Sequence, residues 1–124
     1  MNRNMAQLQR SSKVKVGYQN IEIIYEKASF AKPSDAFGEF DHRKNCISIQ
    51  EDLSKVDHAC TLLHEILHAI VYYTSLTQLG QPLDNENKEE VVVNNITNGL
   101  MGVFKDNPKI LKELEQHIHN VRWK

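Results

Sequence analysis

The sequence predicts a small α+β domain, and three observations predict it. Ile21, Ile23 and Tyr25 alternate with Glu22, Ile24 and Glu26 in a run rich in Val, Ile and Tyr, the period of a strand. Two short β-type runs, residues 36–41 and 46–50, flank the polar turn His42-Arg43-Lys44-Asn45. Beyond residue 53, apolar residues recur at helical spacing in three successive stretches. A small antiparallel or mixed sheet followed by three helices is the architecture these patterns require.

Taken in order, residues 1–13 are polar and aperiodic and read as a flexible tail, leaving residues 14–124 as a single domain. The first strand is expected over residues 18–25. Pro33 and Ser34 mark residues 28–35 as a loop, and the hairpin of residues 36–50 follows. Ser54-Lys55-Val56-Asp57 resembles a capping box with Asp in the Glu place, so the first helix starts at Ser54 and runs to Thr74 or Ser75. Gly80 and Pro82 punctuate the next loop. A second helix is expected from near residues 84–87 to about Lys105, with Val92, Val93, Ile96, Leu100, Val103 and Phe104 as its buried stripe. Asn107-Pro108 ends it and opens a third, in which Leu111, Leu114, Ile118 and Val121 repeat at helical spacing.

At 124 residues the chain can bury a core without disulfide staples. Its net charge of −1 gives no general reason to bind nucleic acid or membranes. The start lacks an apolar signal region, and no stretch is long and apolar enough to span a bilayer. Cys46 and Cys60 form no C-x-x-C pair and read as buried structural thiols, the usage of a cytoplasmic protein.

The chemistry centres on the first helix, Thr61-Leu62-Leu63-His64-Glu65-Ile66-Leu67-His68-Ala69-Ile70. Residues four apart on a helix lie on one face, so His64 and His68 can place two imidazole nitrogens on one metal ion. Glu65, one residue round, can work as general base on water activated by that ion. His-Glu-x-x-His arises by chance in roughly 2 of 100 chains of such composition. Its apolar setting, with Leu62, Leu63, Ile66, Leu67, Ala69, Ile70 and Val71 on the other faces, makes the helix central and the polar trio costly to bury without metal or partners.

A catalytic zinc usually takes three protein ligands. The candidates are Asp84, Glu86, Glu89, Glu90, His117 and His119. Glu89 falls in the apolar stripe of the second helix, whereas Glu90 lies at its border with Asn94 and Thr97 on the same face, polar neighbours that suit a ligand. Glu90 is favoured, then Glu89, then Glu86. The alternative for any one of them taken alone is a solvated acidic first turn that complements the helix dipole. His117 and His119 read as surface or core-edge histidines.

The stretch from Thr61 to Ile70, then Glu89-Glu90-Val91-Val92-Val93-Asn94 and Gly99-Leu100, resembles minimal gluzincin-type zinc metallopeptidases, with two His and one Glu as ligands. It is similar to short His-Glu-x-x-His proteins of bacteriophages and integrated elements and to the ImmA/IrrE peptidases. In the latter the ligand Glu is followed three and four residues on by a small apolar residue and Asn or Asp. Glu90, with Val93 and Asn94, matches that offset. The resemblance covers about residues 36–108 and implies a zincin-like fold, Zn2+ as cofactor, a protein or peptide substrate, and Glu65 as catalytic base. It also implies that substrate pairs with the exposed edge strand, here beginning Ala36, Phe37 and Gly38. Larger gluzincins add a His or Tyr that stabilises the oxyanion; none is identified here, and Tyr72, one turn past His68, reads rather as an anchor of the helix end. Three functions follow as expectations: a zinc peptidase, a catalytically inactive metal-binding interaction protein of a phage or mobile element, and a small-molecule hydrolase with an enclosed pocket.

Overall fold

The computed structural model describes residues 10–27 and 37–120. Among these residues four strands, β1 (Lys13–Val16), β2 (Gln19–Glu26), β3 (Gly38–Asp41) and β4 (Cys46–Gln50), precede three helices, α1 (Lys55–Tyr73), α2 (Glu86–Asp106) and α3 (Pro108–Asn120). The strands form one mixed sheet in the order β1-β2-β4-β3. β1 and β2 pair antiparallel, β2 and β4 parallel, and β3 and β4 antiparallel. The α+β architecture expected from the sequence is the one observed.

Strand β1 adds a hairpin to the single strand expected over residues 18–25. Val16 pairs with Gln19 across a two-residue loop, and Gly17 supplies the positive φ of +61° that the tight turn needs. The chain is anchored from Arg10, within the stretch expected as tail. The Ile23 amide donates to the Ser12 carbonyl (2.9 Å), Tyr25 Oη donates to the Ser11 carbonyl (2.9 Å), and Arg10 Nη2 donates to the Glu51 carbonyl (2.8 Å). Residues 1–9, 28–36 and 121–124 lie outside the described residues, and with them the loop expected over residues 28–35, Ala36 and Val121.

The β3–β4 hairpin forms where the sequence places it. Asp41 Oδ1 accepts from the amides of Arg43 (2.9 Å) and Lys44 (3.2 Å), and Asn45 takes a φ of +53°, which asparagine tolerates better than most residues. Tyr73 Oη donates to Asn45 Oδ1 at 2.6 Å, tying this turn to the end of α1.

Helix α1 begins where Ser54 caps it, Oγ accepting from the Asp57 amide at 3.1 Å. It ends in a Schellman-type reversal: the Leu76 amide donates to the Val71 carbonyl and the Ser75 amide to that of Tyr72, with Ser75 at a φ of +67°. Leu62, Ile66, Ala69 and Tyr73 share one face of α1 and pack on Ile21, Ile23, Ile47 and Ile49 of the sheet. Leu67 and Val71 face the other way and meet Leu83 and Val93. The helix is less enclosed than its composition predicts. Only Thr61, Glu65, Ala69 and Val71 are buried, because the sheet covers one side and a single helix the other.

Helix α2 departs further from expectation. Its buried residues are Val93 and Thr97; Val92, Ile96 and Val103, expected in the stripe, are exposed, while Leu100 and Phe104 are half-buried. The covered face is turned away from the Val92, Ile96 and Val103 side towards the one bearing Glu90 and Thr97, because α1 is its main neighbour. No residue of α3 is buried. Among the described residues, no helix is long and apolar enough to cross a membrane.

One polar contact beneath the sheet predicts a pH effect. The His58 ring stacks on Tyr25 (centroids 5.7 Å apart), whose own ring lies 4.9 Å from the Arg10 guanidinium carbon. Burial, assisted by the Arg10 charge, holds His58 below its ordinary value of 6.5. The unfolded chain therefore takes up this proton first as pH falls. The stabilisation is complete above the unfolded value and is lost as pH drops through the folded one. Urea midpoints of His58→Phe, measured from neutral to mildly acidic pH, should fall less steeply than those of the wild type; parallel profiles would contradict this.

Candidate metal centre

Between the sheet-facing and α2-facing sides of α1 runs a strip of polar positions: Thr61 and Glu65 nearer the sheet, His64 and His68 nearer α2. Helix α2 packs against this strip, its first turn fixed by Asn85, whose Oδ1 accepts from the Lys88 amide at 2.8 Å. That cap aims Glu89 and Glu90 at the two histidines.

Three side chains converge. His64 Nε2 and His68 Nε2 lie 3.1 Å apart, His68 Nε2 is 3.1 Å from Glu90 Oε2, and His64 Nε2 is 3.5 Å from Glu90 Oε1. Donors bound at 2.0–2.1 Å to one tetrahedral ion stand about 3.3 Å from one another. The His64, His68 and Glu90 group therefore has the spacing and the donor types of a metal site, and it is the set favoured from the sequence.

Glu89, in the sequence an alternative ligand, has a different part. Its Oε2 lies 2.6 Å from His68 Nδ1. With a carboxylate accepting from Nδ1–H, the His68 tautomer is fixed with the Nε2 lone pair directed at Glu90 and His64. Adjacent glutamates thus divide two tasks. Glu90, half-exposed at 52%, reaches across to both Nε2 atoms, while the 22%-exposed Glu89 orients one ring from behind.

Glu65 is 5% exposed and lies beneath strand β3. The reason for that closeness is Gly38. A Cβ built there would stand 2.7 Å from Thr61 Cγ2, 2.8 Å from the Ser48 carbonyl oxygen and 3.5 Å from Glu65 Cγ. Only a residue without a side chain lets the edge strand approach the helix at Glu65. Gly38→Ala should push β3 outward and cost about 1–3 kcal/mol of stability by overpacking. Chemical denaturation would measure it, and a variant as stable as the wild type would contradict the tight approach.

These residues open into a cleft of about 670 Å³, with Phe37, Gly38, Glu39 and Phe40 along one side and Glu86, Asn87 and Asn94 on the other. His42, in the sequence only one residue of a polar turn, also lines it from the hairpin. Its ring stacks on Tyr72, with centroids 4.5 Å apart, and Tyr72 in turn meets Phe40 and Tyr73 edge-on. Tyr72 is thus held in an aromatic cluster that joins the hairpin to α1.

The remaining candidates are elsewhere. Glu86 lines the cleft but does not belong to the triad. Asp84 accepts from the Gly80 amide and pairs with Lys88, and His117 and His119 are exposed on α3. Of the two free thiols, Cys46 is buried, and burial pushes it up so that it stays protonated. Cys60 is half-buried at the cleft, where a fully buried thiol was expected.

Comparison of the chain with protein-family models, with curated proteins and with solved structures gave no match. The functional reading therefore rests on the residues themselves.

Proposed function

We propose that the chain is a zinc-dependent metallopeptidase of minimal gluzincin type, with His64, His68 and Glu90 as ligands and Glu65 as general base. The observation that carries the reading is the combination of a three-donor cluster at tetrahedral spacing with a buried carboxylate one residue from the first ligand. Two imidazoles and a carboxylate suit zinc, and three protein donors leave a fourth position for water or substrate. Bound there, zinc supplies Lewis acidity, polarising a carbonyl and bringing the pKa of water to about 7. Glu65 takes a proton from the attacking water and delivers it to the departing amine. Glu89 keeps His68 in the ligating tautomer throughout.

A peptide is the favoured substrate because of what borders the site. β3 is an edge strand of the sheet, and Gly38 brings its backbone against Glu65. An extended peptide added to that edge through main-chain hydrogen bonds would carry its scissile carbonyl past Glu65 and the metal. The half-exposed Glu90 gives the cleft the character of a groove, which favours a peptide over an enclosed small molecule. We place the enzyme in the cytoplasm on its cysteine usage, acting on a protein encoded with it on a phage or mobile element, as the resemblance implies.

The test is cleavage of a diverse peptide library by zinc-loaded protein, compared with Glu65→Gln. Cleavage by the wild type that is lost in the variant supports the peptidase. Metal binding without cleavage of any peptide or of co-encoded proteins supports a non-catalytic interaction protein instead.

A further inference from the structure

The metal centre uses only the first turns of α2 and leaves the rest of α2 and all of α3 without a task, and among the described residues these carry the main exposed apolar surface. Val92, Ile96 and Val103 on α2, with Ile110, Leu111 and Leu114 on α3, are each 39–49% exposed. On α2 the three lie on one side at i, i+4 and i+11, about 100° round from the buried Val93 and Thr97. Gly99 falls on the same side, and nothing lies within 4 Å of where its Cβ would be, so the stripe has a shallow notch at its middle.

Helix α3 poses the physical question most sharply. It has 13 residues, none of them buried. An isolated helix shorter than about 12–15 residues is marginal in water even with favourable composition, and helices in proteins draw most of their stability from packing an apolar face. α3 has such a face and packs little of it against the other described residues.

We propose that a second copy of the chain covers these surfaces, α3 of each protomer lying along the Val92–Ile96–Val103 stripe of the other. The two stripes complement each other in size: the α2 stripe is about 16 Å long and α3 about 20 Å. A two-fold axis satisfies both at once, since the surface each copy offers is the one the other needs. The six residues expose roughly 500 Å² per protomer, which with a polar rim approaches the about 800 Å² per partner of a stable interface. Charge permits the pairing as well. The chain carries only −1, and α3 bears both signs beside its apolar face, with Lys109, Lys112, Glu113 and Glu115. The dimer is independent of the metal reading and of catalysis.

Sedimentation equilibrium of the full chain tests it. The wild type should dimerise with a Kd below about 100 μM, and Leu114→Glu and Ile96→Glu should each weaken association at least about tenfold. Both positions are nearly half exposed, so the monomer fold should survive, which circular dichroism checks; Leu114→Ala and Ile96→Ser serve if either charged variant unfolds. A wild type that stays monomeric to that concentration overturns the proposal. So does a dimer that the α2 or the α3 substitution leaves intact.

Discussion

Glu65→Gln should lower turnover by about 10²–10⁴-fold while leaving the metal bound. The amide has the size and shape of the carboxylate, so the buried position beneath Gly38 stays filled. What it loses is the ability to accept the water proton and hand it on. Because Glu65 is outside the ligand group, zinc content should remain that of the wild type. Peptide turnover and elemental analysis on the same preparation separate the two quantities. Turnover within about threefold of wild type would remove Glu65 from the chemistry.

The second large effect distinguishes the two adjacent glutamates. Glu90→Ala removes one of three donors and should weaken zinc binding by more than the about 10–100-fold that loss of an outer partner costs. Glu89→Ala removes the acceptor at His68 Nδ1 and should fall within that 10–100-fold range. Glu89→Gln, which keeps a carbonyl oxygen for the Nδ1–H, should lie closer to the wild type. Competition titrations against a chelator of known affinity give the order. If Glu89→Ala lost zinc more completely than Glu90→Ala, the assigned tasks would have to be exchanged.

Much of this arrangement was legible in the sequence, for identifiable reasons. Four-residue spacing places His64 and His68 on one side of a helix whatever the fold, and Ser54, Asn107 and Pro108 mark element ends through local chemistry alone. The 46–50 strand and its polar turn are read from alternation and composition, which act over a few residues. Glu90 stands out in the sequence by its polar neighbours and by the offset of the peptidases it resembles, and in the structure its carboxylate lies near both Nε2 atoms.

What escaped depends on tertiary placement. Which side of α2 is buried is decided by how it turns against α1, and Val92, Ile96 and Val103 are as apolar as the residues that are covered. The positioning task of Glu89 is invisible in a run of acidic residues, since only the packed helix shows which carboxylate reaches Nδ1 and which reaches Nε2. Strand β1 is four residues long and joins β2 through Gly17-Tyr18, without the Asn-Gly or Asp-Gly signal of a tight hairpin. His42 comes to the cleft from a turn 22 residues before His64, a distance over which no local pattern carries information.

The measurement that bears most directly on the central claim is a zinc titration of the metal-stripped chain, read by calorimetry. Wild-type protein should take up one zinc per chain, and the His64→Ala/His68→Ala variant none at the same concentrations. A wild type that binds no zinc, or one that binds it equally well with both histidines gone, would contradict the account.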